Sequence, residues 1–347
     1  MTTPYRTRIW VRGTNWVGDS ILTIPALEAL RRARPEAEIT LAVRPWVSEI
    51  FERTSAVDHI QIYDRSLQHR GWRGRSRFIS ELARGRFDVA IMFPNSFESA
   101  YLAWKADIPE RIGYATDGRS LLLTRRLSIP GEILLQHQTQ YYLEILRQSG
   151  FIPALPPVPG VSLEISEAHH QRARLLLSAK GVVEGKLLVG LNPGAFYGTA
   201  KRWLPERYAA LADRFVDALG AIVLIFGSAS ERAMADSIAR EMRHPAKIFS
   251  GETTLGDLAA LLKCCSLFVT NDSGPMHLAA AVGTRTLAIF GPTDEQATAP
   301  VGPHTRVVKH PVSCSPCLLR ECPLDHRCMT GVSVEDVYRV AADLLSH

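Results

Sequence analysis

Hydrophobic and polar positions follow two patterns along this chain. Short apolar runs such as "TRIWVR" (7–12), "EITLAVR" (38–44), "HIQIYD" (59–64) and "FDVAIMF" (87–93) are typical of β-strands. A longer stretch at 19–35 carries the apolar spacing of a helix. Strands that alternate with helices in this way favour a parallel sheet with helices on both faces.

A proline-rich stretch, "FIPALPPVPG" (151–160), interrupts the alternation and predicts an interdomain linker. The alternation then restarts, with a helix from about residue 204 and a last helix near the C-terminus. Strands are predicted at 186–194, 221–228, 247–251, 266–272 and 284–292.

We therefore predict an α/β protein with two Rossmann-like, doubly wound domains. The predicted boundaries are 1–165, 166–332 and a terminal helix, 333–347, that could pack back toward the N-terminal domain.

Composition supports this division. A chain of 347 residues is long for one domain, and 46% hydrophobic with 22% charged residues is normal for a globular protein. The net charge of +5 permits an anionic partner without favouring nucleic acid. No apolar run reaches the ~18 residues of a membrane span, and the N-terminus lacks a signal-peptide pattern. We expect a cytoplasmic protein, with contact at a membrane surface left open.

The segment "VTNDSGPMHLAAA" places polar residues where a strand gives way to a helix. Ser273 and Gly274 would open that helix, whose N–H groups suit phosphate, and Asp272 could accept hydrogen bonds from sugar hydroxyls. Ligands of open α/β sheets bind at such strand ends, so two domains predict a cleft here. Alternatively, Asp272 or Ser273 only caps the helix, and His277 is an ordinary helical residue.

A second loop, "LNPGAFYGTAKRW", also follows a predicted strand. Lys201 and Arg202 could neutralise a diphosphate leaving group without metal, and Thr199 with backbone amides could add donors. The alternative is a surface loop with solvated cations.

Two acidic residues complete this set. The loop "VRGTNWVGDSILTIPALEAL" is neither GxGxxG nor GxxxxGK[ST], so no dinucleotide site is predicted there. Its Asp19 could be a general base or a helix cap. Glu231 follows another strand and could bind ribose hydroxyls, or simply suit the helix dipole.

The run 65–86 carries seven arginines against one glutamate, with Trp72 and Phe78 interleaved. It could meet an anionic acceptor or a membrane surface, or form a solvated helix.

Four of the six cysteines lie within fifteen residues and could hold a structural zinc. Their spacing does not match the usual iron–sulfur runs, and reduced thiols or a disulfide remain open. These four are Cys314, Cys317, Cys322 and Cys328. Cys264 and Cys265 are predicted to be inert core residues.

Three stretches together resemble the ADP-heptose:lipopolysaccharide heptosyltransferases, and within that family the heptosyltransferase II group in particular. They are "RGTNWVGDSILTIPAL", "NPGAFYGTAKRW" and "TNDSGPMHLAAAVGTRTLAIFGPT". The segment "CSPCLLRECPLDHRC" also fits that group. The resemblance covers nearly the whole chain but is thin over 95–180.

This resemblance implies a GT-B architecture, in which two Rossmann-like domains face each other across a cleft. It implies that the first domain holds the growing inner core of lipopolysaccharide, and the second holds ADP-L-glycero-D-manno-heptose. It also implies inversion at the anomeric carbon, with no cofactor required for catalysis and the structural zinc left open.

The same resemblance implies roles for individual residues. Asp19 matches the general base, Lys201 the phosphate-binding lysine, and 272–274 the nucleotide-sugar motif. Glu231 matches the ribose-binding acid only approximately.

Other functions compete with this one. The nearest is heptosyltransferase I or another lipopolysaccharide core glycosyltransferase, because acceptor choice lies in variable N-terminal loops. A nicotinamide-dependent oxidoreductase is disfavoured because no GxGxxG follows a first strand. A nucleic-acid-binding module is disfavoured by the mild charge.

Overall fold

The computed structural model describes residues 6–158 and 160–346. It divides the chain into two compact units, Met1–Pro159 and Gly160–His347. This division falls inside the proline-rich stretch, a few residues before the predicted boundary at 165. Residues 1–5, which belong to the N-terminal stretch used for the signal-peptide argument, lie outside the described residues.

The first unit contains a six-stranded parallel sheet. Its strands are β1 (Arg8–Arg12), β2 (Glu38–Val43), β3 (His59–Ile62), β4 (Val89–Met92), β5 (Glu110–Tyr114) and β6 (Arg125–Leu127). Its helices are α1 (Val17–Leu22), α2 (Ile24–Ala33), α3 (Gly71–Gly85), α4 (Phe97–Lys105) and α5 (Gln138–Gln148). The strand order β3–β2–β1–β4–β5–β6 reverses between β1 and β4.

The second unit repeats this plan. Its strands are β7 (Leu188–Asn192), β8 (Ile222–Ile225), β9 (Lys247–Ile248), β10 (Leu267–Asn271), β11 (Thr286–Phe290) and β12 (Thr305–Lys309). Its helices are α6 (Glu167–Ala179), α7 (Pro205–Leu219), α8 (Arg232–Glu241), α9 (Leu255–Cys264), α10 (Gly274–Ala281), α11 (Glu295–Thr298), α12 (Arg327–Thr330) and α13 (Val334–Ser346). The order β12–β11–β10–β7–β8–β9 reverses between β7 and β10, so the two doubly wound sheets are confirmed.

The central strands are mostly apolar because helices cover both faces of each sheet. β10 is buried from its first residue to its last, and so is β7. Continuous apolar runs of this kind are the signal that sequence analysis used. Among the helices of the described residues, none combines the length and the hydrophobicity needed to cross a bilayer.

The terminal helix belongs to the hydrophobic core of the second unit. Val337, Ala341 and Leu344 on α13 belong to the hydrophobic core of the second unit, together with residues of α7 and β11. The helix is therefore part of the second unit, because its apolar stripe completes that unit's core. Packing toward the N-terminal domain stays a prediction.

Two local predictions are also corrected. The single helix predicted at 19–35 is two helices, α1 and α2, which meet at Thr23. Cys265 is buried as predicted, but Cys264 is exposed. Cys264 is the last residue of α9 and Cys265 follows it in an extended conformation, so the two thiols are presented differently.

Asp58 anchors the start of β2, and its loss is expected to destabilise the first domain. Its carboxylate accepts hydrogen bonds from the Ile39 backbone N–H at 2.7 Å and from Arg31 at 2.5 Å. Burial alone would raise the pKa of Asp58, but these donors outweigh it and lower the pKa below 3.8. We expect Asp58→Asn to lower the free energy of unfolding at pH 7 by about 1–2 kcal/mol in urea titrations.

The sign of the pH dependence follows from the lowered pKa. The stabilisation by Asp58 is present above its ordinary pKa and is lost as the pH falls through the lowered folded value. The difference between wild type and Asp58→Asn should therefore shrink on acidification. A constant difference down to pH 2 would contradict the assignment, and Glu36→Gln, at an exposed carboxylate, is the matched control.

Candidate active site

The candidate binding site for a sugar diphosphate, hereafter the donor site, lies at the carboxyl ends of β7 and β10. The strand order of the second sheet reverses at this point. The loop after β7, residues 193–202 and hereafter the lysine loop, contains Lys201. Lys201 Nζ donates to Asp272 Oδ2 at 2.6 Å, although the two residues are 71 positions apart. The exposed fractions of the two side chains are 15% and 7%, so this is a largely buried ion pair rather than a solvated cation.

Asp272 receives a second donor from a third loop. Thr293 Oγ1, which follows β11, donates to the same Oδ2 atom at 2.7 Å. Loops after β7, β10 and β11 thus converge on one carboxylate. Asp272 is engaged in positioning Lys201 and does not cap α10, which resolves the capping alternative; its proposed contact with sugar hydroxyls stays a prediction.

Buried Asn271 connects the lysine loop to β10, and sequence analysis missed it. Its Oδ1 accepts from the Trp203 backbone N–H and from the Tyr208 hydroxyl, each at 3.0 Å. Its Nδ2 donates to the Pro193 carbonyl at 2.7 Å. The sequence does contain a signal for this residue, namely an amide side chain at the end of an otherwise mostly apolar strand. A fully buried amide needs hydrogen-bond partners, so this position could have been predicted to bind a neighbouring loop.

The start of α10 is not capped by a side chain. Ser273 is the residue before the helix, and its hydroxyl contacts Asn192 Nδ2 at 3.3 Å and Thr270 Oγ1 at 3.1 Å instead of a helical N–H. Gly274 is the first residue of the helix, and His277, one turn later, is buried. N–H groups at a helix start that no side chain caps are suited to an anion such as phosphate.

Thr199 and Arg202, the other two residues predicted to contact a diphosphate, differ in solvent exposure. Thr199 is exposed at the start of the short 3-10 helix that includes Lys201. Arg202 is half-buried, donates to the Ala195 carbonyl at 3.4 Å, and has a buried Nε without a partner among the described atoms. Arg202 therefore retains hydrogen-bonding capacity next to Lys201.

Glu231 forms a capping box. Its Oε2 accepts from the backbone N–H and from the hydroxyl of Ser228, each at 2.8 Å. Glu231 therefore stabilises the start of a helical segment, which agrees with the alternative that it suits the helix dipole and adds a capping role that was not predicted. Glu231 also lies against Gly194 in the lysine loop, where a Cβ atom would overlap with its carboxylate. Glu231 thus lies at the edge of the candidate site, and its contact with a ribose stays a prediction.

In the first unit, Asp19 lies in the first turn of α1, after the loop that follows β1. Its carboxylate shares a hydrogen bond with Tyr142 on α5, and it is not the cap of α1, a position that Trp16 holds. Burial raises the pKa of Tyr142 well above 10, and the negative charge of Asp19 is the second cause of this increase. The Tyr142 hydroxyl thus stays protonated and donates to Asp19.

Two buried arginines hold the loop before Asp19, and sequence analysis missed both. Arg12 donates to Asn15 Oδ1 at 2.6 Å, and Arg44 Nε donates to the same oxygen at 3.2 Å. Burial, assisted by the nearby Arg44 charge, lowers the pKa of Arg12 to about 10. Trp46 Nε1 adds a bond to the Asn15 carbonyl at 2.8 Å. The loop that leads to Asp19 is therefore well anchored.

The four clustered cysteines lie in one segment of the second unit, residues 314–328, hereafter the cysteine segment. Burial raises the pKa of the Cys328 thiol, and the charges of Cys314, Cys322 and Cys317 raise this pKa further. Within residues 6–158 and 160–346, however, no group of three or more His, Cys, Asp or Glu side chains is arranged to hold a metal ion. The structural zinc stays a prediction, which metal analysis of the purified protein would test.

Comparison with known proteins decides the family. The model of glycosyltransferase family 9 (heptosyltransferase) matches residues 75–327, more than half of the chain. This chain belongs to glycosyltransferase family 9. The predicted resemblance is thereby confirmed.

Individual family 9 proteins agree with this assignment. The chain is 30% identical to lipopolysaccharide heptosyltransferase 2 of Salmonella typhimurium, over 87% of this chain and 88% of that protein. Among solved structures, a family 9 glycosyltransferase from Veillonella parvula superposes with a TM-score of 0.85 and 27% identity, covering 98% and 97% of the two chains. ADP-heptose lipopolysaccharide heptosyltransferase II of Escherichia coli gives 0.82 and 25%, covering 98% and 99%.

Family 9 membership makes the protein a glycosyltransferase rather than a nicotinamide-dependent oxidoreductase or a nucleic-acid-binding module. The two six-stranded parallel sheets match the GT-B plan of the family 9 structures. The roles of the Lys201–Asp272 pair, the uncapped start of α10 and Asp19 in that activity stay predictions.

Proposed function

We propose that the protein is a heptosyltransferase II, which moves L-glycero-D-manno-heptose from ADP-heptose to the heptosyl-Kdo2-lipid A inner core of lipopolysaccharide. The observation that carries this proposal is the similarity, over 87% of the chain, to enzymes named heptosyltransferase 2. The donor site described above supports it, because a diphosphate needs cationic and N–H donors at one place.

The second domain supplies the donor contacts in this proposal. Lys201 and Arg202 neutralise the diphosphate, Thr199 and the first N–H groups of α10 add donors, and Glu231 binds the ribose. Asp272 acts mainly through Lys201, since its Oδ2 is already bonded to Lys201 and Thr293. The ammonium group is thus oriented before the substrate arrives, which is the arrangement that stabilises developing charge most effectively.

The chemistry is a displacement at the anomeric carbon. Asp19 takes the proton of the acceptor hydroxyl as that oxygen bonds to C1 of the heptose. The bond from C1 to the β-phosphate oxygen breaks through an oxocarbenium-like state, the configuration inverts, and ADP leaves with the electron pair. Lys201 and the start of α10 stabilise the charge on ADP, so neither a metal nor another cofactor is needed in this scheme.

We place this reaction in the cytoplasm, at the inner face of the membrane that holds the lipid A acceptor. Helix α3 supports the contact: Trp72 is 73% exposed, Arg73 lies over its ring, and Arg77 on the same helix is also exposed. Phe78, in contrast, is fully buried and stacks on Tyr63, so it belongs to the core and not to this surface. Exposed Trp and Arg side chains on one helix suit an anionic lipid surface.

Vesicle binding tests this contact. We expect the protein to sediment with vesicles that contain phosphatidylglycerol more than with pure phosphatidylcholine vesicles. Because each cation near an anionic surface contributes about 1 kcal/mol, Arg73→Gln combined with Arg77→Gln should weaken binding by roughly tenfold or more. Arg306→Gln, at an exposed arginine of the second domain, is the control. Equal sedimentation of all three proteins would reject the surface.

An acceptor comparison tests the proposed function. Purified protein is given ADP-L-glycero-D-manno-heptose with either Kdo2-lipid A or the same acceptor already carrying one heptose. Transfer only to the second acceptor is the expected result. Transfer only to the first would reassign the protein as a heptosyltransferase I, and transfer to neither, with ADP-heptose still bound, would reject both acceptors while keeping the donor site.

A further inference from the structure

The cysteine segment is packed directly against the lysine loop. The Ala200 backbone N–H donates to the Arg320 carbonyl at 3.0 Å, and His326 Nε2 lies 2.6 Å from the Ala200 carbonyl oxygen. Since a carbonyl oxygen only accepts, His326 carries the proton on Nε2. Both backbone polar groups of Ala200, the residue directly before Lys201, are therefore held by the cysteine segment.

Two further contacts lie along the same loop. The Tyr197 hydroxyl donates to the Leu318 carbonyl at 3.1 Å, and the Arg320 guanidinium lies 5.1 Å from the centre of the Tyr197 ring. Gly198 approaches so closely that a Cβ atom there would lie 2.7 Å from the Arg320 carbonyl carbon. The two segments are in backbone-to-backbone contact, which only a residue without a side chain permits at this position.

The cysteine segment also holds the other side of the ion pair. The backbone N–H groups of Cys317 and Leu318 donate to the Pro292 carbonyl at 3.0 and 2.8 Å. Ser315 donates to the Gly291 carbonyl at 2.6 Å. The next residue after Pro292 is Thr293, the donor to Asp272. One segment thus fixes the backbone beside Lys201 and beside the residue that orients Asp272.

We propose that the cysteine segment positions the Lys201–Asp272 pair for a nucleoside diphosphate, with His326 as its main positioning residue. His326 has no part in the bond changes; it acts through Ala200 on the geometry of the neighbouring ammonium group. This deepens the proposed function and rests on it only for the identity of the ligand.

The decisive comparison is between two substitutions of His326. Residue 326 has a φ of 58°, a left-handed conformation that is unfavourable for any residue with a Cβ. Ala and Gln both carry a Cβ, so this backbone strain affects the two variants equally. Only Gln retains an N–H donor at the same number of bonds from Cβ as Nε2. We expect His326→Ala to weaken ADP binding by about tenfold in calorimetry, and His326→Gln to restore most of it. His304→Ala, at an exposed histidine of the same domain, is the control.

A second readout does not depend on any nucleotide. Amide hydrogen exchange of a peptide covering residues 195–203 should accelerate in His326→Ala and not in His326→Gln. Loss of the bond from His326 to the Ala200 carbonyl frees the loop to open, and the bond from the Ala200 N–H to the Arg320 carbonyl then breaks more often. This distinguishes the two proposals: if wild-type protein fails to bind ADP, the proposed function fails, while the exchange result still decides whether the cysteine segment orders the loop.

Gly198→Ala tests the contact between the two segments with a change in the lysine loop instead of the cysteine segment. Its φ of 168° is extended backbone, so Ala adds no strain, and the only consequence is overlap with Arg320. We expect weaker ADP binding and faster exchange, as for His326→Ala. Gly302→Ala, where a Cβ would meet only an ordinary contact at 3.5 Å, is the control. Unchanged affinity and unchanged exchange in both variants would overturn the proposal.

Discussion

Replacing Asp19 by Asn is expected to reduce heptose transfer by about 10²–10⁴-fold while the affinity for ADP-heptose is retained. The amide keeps the size of the side chain but no longer takes a proton from the acceptor hydroxyl. Asp19 belongs to the first domain, whereas the proposed contacts to ADP-heptose belong to the second, so we expect binding of ADP-heptose to be unaffected. Turnover under saturating substrates and calorimetry with ADP-heptose give the two quantities.

Two further variants make this prediction specific. Tyr142→Phe removes the hydroxyl that hydrogen-bonds Asp19 and should lower turnover by about tenfold, because a base held less firmly is less often aligned. Glu36→Gln removes an exposed carboxylate of the same domain and should change nothing. Wild-type turnover in Asp19→Asn would exclude the base role.

Lys201→Ala is expected to weaken ADP-heptose binding by about 10–100-fold, since hydrogen bonds to charged groups contribute about 1.5–3 kcal/mol. The same change leaves Asp272, whose side chain is 7% exposed, without its cation. Leaving a buried charge unpaired lowers the free energy of unfolding by about 3 kcal/mol or more. Calorimetry with ADP and urea unfolding of the same preparations measure both effects.

A double variant separates binding from stability. Asp272→Asn removes the charge that Lys201→Ala leaves unpaired, so the double variant should regain much of the stability while ADP binding stays weak. Lys186→Ala, at an exposed lysine of the second domain, is the control. If Lys201→Ala binds ADP with wild-type affinity, Lys201 does not contact the diphosphate.

Central strands were the most predictable part of the fold. β1, β4, β7 and β10 are buried on both faces, and such strands read as continuous apolar runs whatever lies beside them. β5, β6 and β12 were not predicted. β6 is a three-residue strand, "RRL", and β12 lies at a sheet edge, so neither carries the apolar run of a central strand.

The individual residues of the candidate site were predictable from the sequence, but the hydrogen bonds between them were not. Asp19, Lys201 and 272–274 stand at strand–helix junctions, where local residue types already indicate anion or proton chemistry. The partners of these residues were not predictable, because Thr293 and Tyr142 carry no local signal of their own. Asn271 and His326 were visible only as ordinary residues within longer motifs.

The sequence alone determined two doubly wound domains, the junctions that carry chemistry, and the family resemblance, because each of these is recorded in residues adjacent along the chain. Only the tertiary structure decided that Asp272 holds Lys201 and that the cysteine segment contacts the lysine loop. Those contacts join residues 71 to 126 positions apart. They depend on strand order and loop packing, which no local pattern of hydrophobic and polar residues encodes.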